Sequence, residues 1–519
     1  MKNISLNSFF LNNFSKYEDK TALTFFRGTS VETIISYKEL IQDSNSMAAA
    51  LIELGVEKGD RVILYLEKSI IFVLAHLAIQ KLGAVTVPLN PGFKKNEISY
   101  FIEDTEAILI LCDTWHAETI HEIDPEIKTL TIDTTIPYHE LNLLRPAYAM
   151  ITGSGAGADD PGLIVYTSGT TGKPKGAVLT QRNLIHDVEN VIKIWEISAA
   201  DVFCHALPLF HVHGLCFALH SALSTGSHVL LLDGFSAENV INILSKKDGR
   251  HVCSVFMGIP PMYVKMMALL RKKQCDFSHM RLWTSGSAPL PVKDFKRIRT
   301  LLGQEPVERE GMSETGMNFS NPLRGLRKPG SIGLPLPGVE VRLVNLETLK
   351  NAVFGEEGEI WLKSPSITPG YWRKPVETAE AFQNGWFRTG DLGRIDQDGY
   401  YYLTDRCKHI IISGGENISP KEIEGIINLL DDVLETSVVG LPDEKWGERI
   451  AAAVVLKAGV NLAVGDIQLF CKKYLHNWKC PREVVFMSEL PKNSMGKILK
   501  EEIKKYIMGA KHYENYNLR

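Results

Sequence analysis

The chain has 519 residues, of which 45% are hydrophobic and 23% charged, and its formal net charge is −4 at pH 7. A chain of this length exceeds what one compact core accommodates, so at least two domains are expected, and the composition excludes a fibrous or disordered protein. The slight negative charge also argues against a nucleic-acid-binding protein, which normally carries a strong basic bias.

The N-terminal region predicts a chain without targeting or membrane segments. MKNISLNSFFLNNF lacks a long apolar run, so no signal peptide is predicted and a cytoplasmic location is expected. The most apolar run, Ile70–Pro88, is interrupted by His76, Gln80 and Lys81, which predicts a buried helix followed by a strand. The eight cysteines form no CxxC pair, so neither a zinc motif nor a redox motif is predicted.

Short β-branched runs alternate with helical periodicity over most of the first 400 residues, which predicts βα units and largely parallel sheets. The runs are RVILYL, ILILC, LIVYT, HVLLL and VCSVF. From about residue 330, Gly- and Pro-rich turns between short strands predict a small, more antiparallel β unit. A further change near Asp405–Lys408 predicts a small C-terminal domain, in which Ser419, Pro420 and Glu422 should open a helix with a capping box.

One glycine-rich loop carries the clearest chemical signal. YTSGTTGKPKGAV (166–178) lies between two predicted strands. It is not a Walker A loop, because neither GK pair, at 172–173 or 496–497, has a glycine five places before its own. Glycines still allow backbone N–H groups to approach a phosphate closely, and the hydroxyls and lysines add donors and positive charge. The loop therefore predicts phosphate binding of another kind.

YTSGTTGKPKG resembles the phosphate loop of the AMP-forming acyl- and aryl-CoA synthetases, the superfamily that also contains luciferases and peptide-synthetase adenylation domains. Four further segments match it in the expected order: GMSETG (311–316), WFRTGDLG (386–393), DRCKHIIISGGENISPKEIE (405–424) and PKNSMGK (491–497). The resemblance covers essentially the whole chain. It implies an acid–thiol ligase that uses ATP and Mg²⁺ to convert a carboxylate into acyl-AMP and pyrophosphate, and then transfers the acyl group to coenzyme A.

The resemblance also implies the site residues. The implied ligands of the β- and γ-phosphates are Thr167, Ser168, Gly169, Thr170, Thr171 and Lys175, and Ser313 is the implied contact of the α-phosphate. Gly286, Ser287 and Ala288 are implied to line the adenine, and Asp391 and Arg406 are implied to bind the ribose. Glu314 is the implied magnesium ligand, and His211 is the implied gating histidine beside the reacting carboxylate. Lys497 is implied to bridge that carboxylate and the α-phosphate, which relieves repulsion between two anions.

The same resemblance implies a moving small domain. An adenylation domain (residues 1–404), a hinge (405–408) and a mobile α+β C-terminal domain (409–519) would form a mixed α/β protein. Lys408 is the implied pivot, and Gly414 and Gly415 would line the pantetheine tunnel. One departure from the family concerns the residue directly before GMSETG (311–316). The family usually has an adenine-stacking aromatic residue there, where this chain has Glu310. Weaker ATP binding is one expected consequence.

The acid itself is less clearly indicated. HVHG (211–214) and ERxGMSETGMNxSNP (308–322) resemble the spelling in malonyl-CoA and oxalyl-CoA synthetases. A buried Arg309 would favour a second carboxylate, so malonate or a similar small dicarboxylate is the first expectation. Met312, Met317 and Phe217 would equally suit an aliphatic tail, which keeps short- or medium-chain fatty acids and aryl acids open. A carrier-protein phosphopantetheine arm is the alternative acceptor, and no nucleic-acid partner or transmembrane segment is expected.

Overall fold

The structure is a computed structural model that describes residues 4–141, 155–167, 173–247, 249, 252–413, 416–493 and 496–516. It divides into two compact units, Met1–Glu340 with Leu362–Phe387, and Val341–Trp361 with Arg388–Arg519. The mixed α/β class is confirmed. The predicted hinge at residues 405–408 stays a prediction, because a division into compact units does not show about which residues a small domain would rotate.

The helices of the described residues are α1 (Leu6–Phe14), α2 (Tyr37–Glu53), α3 (Ile70–Leu82), α4 (Lys95–Thr105), α5 (Ala117–Ile123), α6 (Gln181–Trp195), α7 (Ser221–Ser224), α8 (Ala237–Leu244), α9 (Pro260–Leu270), α10 (Val292–Leu302), α11 (Pro375–Ala381), α12 (Pro420–Ile427), α13 (Val464–Tyr474) and α14 (Lys500–Tyr516). A π-helical segment, His213–His220, runs directly into α7.

The strands are β1 (Thr21–Arg27), β2 (Ser30–Ser36), β3 (Arg61–Tyr65), β4 (Val85–Pro88), β5 (Leu109–Asp113), β6 (Lys128–Ile132), β7 (Pro161–Thr167), β8 (Lys175–Thr180), β9 (Val202–His205), β10 (His228–Leu232), β11 (Val255–Gly258), β12 (Leu282–Ser285), β13 (Val307–Met312), β14 (Gly316–Ser320), β15 (Leu334–Pro335), β16 (Glu340–Val344), β17 (Gly358–Lys363), β18 (Phe382–Gln383), β19 (Trp386–Ile395), β20 (Tyr401–Arg406), β21 (Ile411–Ser413), β22 (Glu416–Ile418), β23 (Val433–Asp443), β24 (Gly447–Leu456) and β25 (Glu483–Phe486).

The larger unit contains two sheets. One has nine strands in the order β15-β14-β13-β12-β11-β9-β10-β1-β2, and the other has six in the order β6-β5-β3-β4-β7-β8. The inner strands of both sheets pair in parallel, as the βα alternation predicted. Because β9, β12 and β13 are parallel neighbours through β11, the loops that follow β9 and β12 leave from the same sheet edge. That edge carries the acyl-side residues described below.

The second unit contains an antiparallel sheet, β22-β21-β24-β23, with β25 parallel to β24. Apolar clusters cover both faces of this sheet. Ile423 and Ile427 of α12 and Ile467 of α13 are buried in one cluster, and Ile503 and Ile507 of α14 are buried in the other. A further five-stranded sheet has the order β16-β17-β19-β18, with β20 against β19.

Local sequence signals explain most of the helix boundaries. Thr180 caps α6 by accepting the Asn183 backbone N–H at 3.2 Å, and α3 ends at Gly83, whose φ of 71° favours glycine. Ile70–Pro88 forms α3 and then β4, as predicted. None of the helices in the described parts of the chain combines the length and apolar character that a membrane span requires.

The predicted capping box at α12 is wrong. Ser419 precedes the helix and Pro420 opens it, but the Ser419 side chain does not cap the backbone. Its Oγ donates instead to Asp405 Oδ2 at 2.6 Å, and Lys479 Nζ donates to Glu422 at 2.7–2.8 Å. The same Asp405 Oδ2 accepts the Lys421 N–H at 3.2 Å, so this carboxylate replaces the serine oxygen as the acceptor at the helix N-terminus and the tertiary contact overrides the local motif.

Candidate active site

The phosphate loop is closed by a strand pair. Thr167 ends β7, Lys175 begins β8, and the two residues face each other in the antiparallel register. The predicted ligands Ser168, Gly169, Thr170 and Thr171 lie outside the described residues. Lys175 Nζ lies 5.4 Å from the centre of the Tyr371 ring, a cation–π distance. The strand pair therefore fixes both ends of the loop and brings a lysine beside Tyr371.

Glu314 is the centre of an oxygen cluster on this side. It lies in the turn between β13 and β14 and is 7% exposed. Its Oε1 accepts from Thr167 Oγ1 and from Tyr371 Oη, each at 3.2 Å. Burial, together with the Glu314 carboxylate, raises the pKa of Tyr371, which keeps the hydroxyl protonated as a donor. We call Thr167, Glu314 and Tyr371 the phosphate-side cluster.

The phosphate-side cluster fits a hard divalent cation. Its three side chains offer only oxygen atoms, and Mg²⁺ prefers one or two protein carboxylates, with water and substrate phosphates filling the other positions. Among the described residues, no group of three or more His, Cys, Asp and Glu side chains could hold a metal by itself. Glu314 as a single carboxylate ligand agrees with a metal that is shared with a nucleotide. Ser313, the predicted α-phosphate contact, is the neighbouring residue in the same turn.

The turn after β12 leaves space for a buried arginine. A Cβ atom at Gly286 would lie 2.5 Å from Nε and 2.7 Å from Cζ of Arg309, so only glycine admits the guanidinium here. Ser287 has a φ of 68°, a left-handed conformation that costs a non-glycine residue about 1–2 kcal/mol. Gly286 to Ala288 were predicted to line adenine, and that role stays a prediction. The structure adds that Gly286 contacts the Arg309 side chain.

Arg309 is a buried cation with little compensation. It is 4% exposed, and burial lowers the pKa of its guanidinium to about 10, which still leaves it charged at neutral pH. Its Nη2 lies 3.4 Å from Ser287 Oγ, and its Nε has no hydrogen-bond partner among the described residues. A charge buried in this way is costly unless an anion pairs with it.

His213 and Phe217 complete the surroundings of Arg309. Both belong to the π-helical segment His213–His220 and are buried. The Phe217 ring centre lies 5.0 Å from Arg309 Cζ and 6.1 Å from the His213 ring centre. His213 Nδ1 lies 3.3 Å from Ser287 Oγ, while its Nε2 is buried without a partner among the described residues. We call Arg309, Ser287, His213 and Phe217 the acyl-side cluster.

The remaining acyl-side predictions lie on the same edge. His211 lies shortly after β9, and burial lowers its pKa to about 4, so its imidazole is neutral at pH 7. Met312 ends β13, and Met317 in β14 is fully buried. The Met317 N–H donates to Asp187 Oδ1 at 2.8 Å. Burial raises the pKa of Asp187 to about 7, so this carboxyl group compensates Arg309 only in part.

The second unit brings together the two predicted ribose ligands. Asp391 in β19 and Arg406 in β20 face each other in the antiparallel register. Arg406 Nε lies 2.6 Å from Asp391 Oδ1, and its Nη2 lies 3.4 Å from Oδ2, so the pair has a two-pronged geometry. Asp391 is buried. Their contact with a ribose stays a prediction.

Two other predicted residues of this unit, Lys497 and Lys408, lie in turns. Lys497 lies in a turn in which the Asn493 N–H donates to Lys497 O at 3.0 Å and the Lys497 N–H donates to Asn493 Oδ1 at 2.9 Å. Lys408 lies in the short 3₁₀ turn Cys407–His409. Gly414 and Gly415 are outside the described residues.

Glu310, at the place where the family has an aromatic residue, is held by a neighbouring strand. Asn318 Nδ2 donates to Glu310 Oε2 at 3.1 Å across the β13–β14 pair. The carboxylate therefore has a donor within the hairpin. No stacking ring is supplied by this position.

Two residues of these clusters, Tyr371 and His213, and the neighbouring Asp187 were not predicted from the sequence. Tyr371 is the second hydroxyl on Glu314, and its only signal was the turn-like TPGYW that brings it beside β8. Asp187 is a buried acid within an amphipathic helix, where a polar residue would ordinarily face solvent. His213 was visible in HVHG but was not singled out from His211.

Two family models and several known proteins are similar to this chain. The family model described as AMP-binding enzyme matches residues 10–372, and the model described as AMP-binding enzyme C-terminal domain matches residues 422–497. A mitochondrial malonate–CoA ligase from Mus musculus is 33% identical over 508 residues, which cover 91% of this chain and 87% of the relative.

Two further proteins set the range of similarity. A long-chain-fatty-acid–CoA ligase from Bacillus subtilis (strain 168) is 30% identical over 540 residues, covering 97% of this chain and 94% of the relative. The crystal structure of ATP-bound MatB from Rhodopseudomonas palustris superimposes with a TM-score of 0.90 at 34% identity, covering 97% of this chain and 99% of that one. Relatives named for a small diacid and for long-chain acids are therefore both similar to this chain.

Proposed function

The chain belongs to the AMP-binding enzyme family, and from that premise we propose that it is a malonate–CoA ligase. The reaction class is that of the AMP-forming acyl-CoA synthetases, which use ATP, Mg²⁺ and coenzyme A. The observation that carries the choice of acid is Arg309. A guanidinium that is 4% exposed, lies against Gly286 and has no partner for its Nε among the described residues favours a second carboxylate on the substrate.

The phosphate-side cluster supports the adenylation half-reaction. Thr167 and Tyr371 orient the Glu314 carboxylate through two hydrogen bonds to Oε1, so its position is set before a nucleotide binds. Bound there, Mg²⁺ would neutralise phosphate charge as the carboxylate attacks the α-phosphate. Lys175, fixed at the start of β8, would add a positive charge beside the departing pyrophosphate.

The acyl-side cluster supports selection of a diacid. Pairing with a second carboxylate would satisfy Arg309 inside a region of low dielectric, where charge-assisted hydrogen bonds are strongest. A monocarboxylic acid with an aliphatic tail would leave that buried guanidinium with only the partial compensation that Glu310 and Asp187 provide. His211 would contact the reacting carboxylate as a neutral donor, since burial keeps it uncharged.

The test is CoA-dependent release of AMP with malonate and with octanoate at matched concentrations, in the parent chain, Arg309→Met and Arg309→Lys. We expect malonate to be preferred by the parent, and Arg309→Met to lower kcat/KM for malonate by about 100-fold, the loss expected when a buried charge-assisted pair is removed. Arg309→Lys should recover part of the lost kcat/KM, because lysine keeps the positive charge but lacks the planar, two-pronged guanidinium.

Arg299→Met is the matched control, since Arg299 is an exposed arginine on α10. Turnover of octanoate alone by the parent would refute the proposal and make Arg309 structural. Failure of saturating CoA to accelerate AMP release would favour the carrier-protein acceptor.

The cytoplasmic location also stays a proposal, because the mouse relative is named mitochondrial. Cell fractionation distinguishes a cytoplasmic from a mitochondrial location.

Lys497 is proposed to act only in adenylation. Lys497→Ala should lower the rate of acyl-AMP formation by about 100-fold or more, because it removes a cation from between two anions. Thiolysis of supplied malonyl-AMP should change little. Pyrophosphate exchange and thioester formation measure the two steps separately, and equal losses in both would contradict this assignment.

A further inference from the structure

Two buried nitrogen atoms of the acyl-side cluster, His213 Nε2 and Arg309 Nε, have no hydrogen-bond partner among the described residues. A buried polar group left unpaired costs about 1–3 kcal/mol, so such groups are uncommon and each needs a reason. Both side chains pack on Phe217, and both contact Ser287 Oγ. The two nitrogen atoms therefore belong to one local arrangement.

The contacts of Ser287 allow a proton on His213 Nε2. Arg309 Nη2 can only donate, so Ser287 Oγ accepts from it at 3.4 Å. The Ser287 hydroxyl proton remains available for His213 Nδ1, which lies 3.3 Å away. In the tautomer in which Nδ1 accepts that proton, the neutral imidazole carries its own proton on Nε2. Burial, with Arg309, His205 and His211 nearby, lowers the pKa of His213 far below its usual range, so the ring is neutral.

We propose that His213 is a specificity residue whose Nε2–H donates to the second carboxylate of the substrate, alongside Arg309. The inference rests on the proposed function and deepens it, because only an acid with a second anionic group supplies the missing acceptor. Ser287 is itself exposed, so the buried donors lie beneath a surface that a ligand can approach. His213 is 2% exposed, which keeps competing water away from the new bond.

A neutral imidazole suits this position better than a second cation. Arg309 already balances one negative charge, and another buried cation would add a repulsion that one carboxylate could not offset. Selectivity then comes mainly from weak binding of acids that lack a second carboxylate. A monocarboxylic acid would leave both donors unpaired, and sites built to hydrogen-bond a substrate group discriminate strongly against analogues that lack it.

The experiment compares malonate with butyrate, a similar-sized acid without the second charge, in the parent, His213→Leu and His213→Gln. Butyrate is scored by turnover or, where it is not turned over, by its competitive inhibition constant against malonate. We expect His213→Leu to lower the malonate-to-butyrate preference by about 10- to 100-fold, mainly through the KM for malonate. His213→Gln should restore much of the preference, because its amide keeps an N–H donor.

His139→Leu, at an exposed histidine, is the matched control, and thermal unfolding of each variant reports folding. An equal loss for both acids in His213→Leu, or no rescue by His213→Gln, would overturn the inference and leave the ring as packing for Phe217. The proposed function would survive that result, since the parent would still use malonate. A parent that does not use malonate would instead overturn both, and the two failures are therefore distinguishable.

Discussion

The phosphate-side and acyl-side clusters are built in opposite ways. On the phosphate side, one carboxylate oxygen of Glu314 accepts from two hydroxyls. On the acyl side, Arg309 Nε and His213 Nε2 are buried and have no hydrogen-bond partner in the parts of the chain that the structure describes. The first arrangement is centred on an acceptor and suits a cation, whereas the second is rich in donors and suits an anion. The two clusters thus differ in charge and in whether donors or acceptors are in excess. The phosphate-side cluster would serve every acid, whereas the acyl-side cluster would select among acids.

The strongest test of this contrast is Glu314→Gln. The substitution keeps the shape of the side chain but removes the charge that would hold the metal, so kcat/KM should fall by about 100- to 1000-fold. The loss should be the same for malonate and butyrate. AMP release measures it, and Glu189→Gln, at an exposed residue of α6, is the control. A loss confined to malonate would break the contrast.

Gly286→Ala should act on the acyl side alone. The added methyl group would lie 2.5 Å from Arg309 Nε, so the guanidinium must move. Displacement of that group should lower kcat/KM for malonate by about 10- to 100-fold, a factor that corresponds to about 1.4–2.8 kcal/mol. Butyrate should be affected much less, and steady-state kinetics with both acids measure the difference. Equal losses would indicate that Gly286 serves the nucleotide, as the sequence predicted.

Tyr371→Phe is a milder change on the phosphate side. It removes one of the two hydroxyl donors to Glu314 and leaves the ring, so we expect a loss of about 5- to 10-fold, in line with one hydrogen bond to a charged group. The loss should not depend on the acid, and it should shrink as the magnesium concentration rises. A titration of activity against magnesium checks both points. Indifference to magnesium would separate Tyr371 from the metal site.

Glu308→Gln tests stability instead of activity. Glu308 precedes Arg309 in β13, accepts the Gly330 N–H at 2.9 Å, and has its pKa raised to about 8 by burial. The folded state therefore keeps its proton up to about pH 8, whereas the unfolded chain loses it near pH 4.5, so this group favours folding less as the pH rises. The substitution should remove about 1–3 kcal/mol of that pH dependence. Unfolding curves at about pH 5 and pH 8 measure it, and parallel behaviour of variant and parent would contradict it.

Local signals in the sequence predicted the elements well, and the motifs identified the chemistry. The runs RVILYL, ILILC, LIVYT and HVLLL overlap β3, β5, β7 and β10, and the interrupted apolar run became α3 and β4. The contacts that complete the clusters were not predictable, because they join distant segments. Tyr371 reaches Glu314 across 57 residues, and Ser287 reaches His213 across 74. Ser419 shows the reverse case, in which a local motif predicted a capping box but the serine hydroxyl donates to Asp405, 14 residues away in the sequence.

The φ of 68° at Ser287 has a consequence for laboratory evolution. Glycine at that position would relieve the backbone, yet it would remove the hydroxyl between Arg309 and His213. A library randomised there should drift toward glycine or asparagine when it is selected for heat resistance alone. Selection for growth on the diacid should hold it at serine. The two selections would therefore favour different residues at position 287. The residue found there after selection would show whether thermal stability or use of the diacid had been selected.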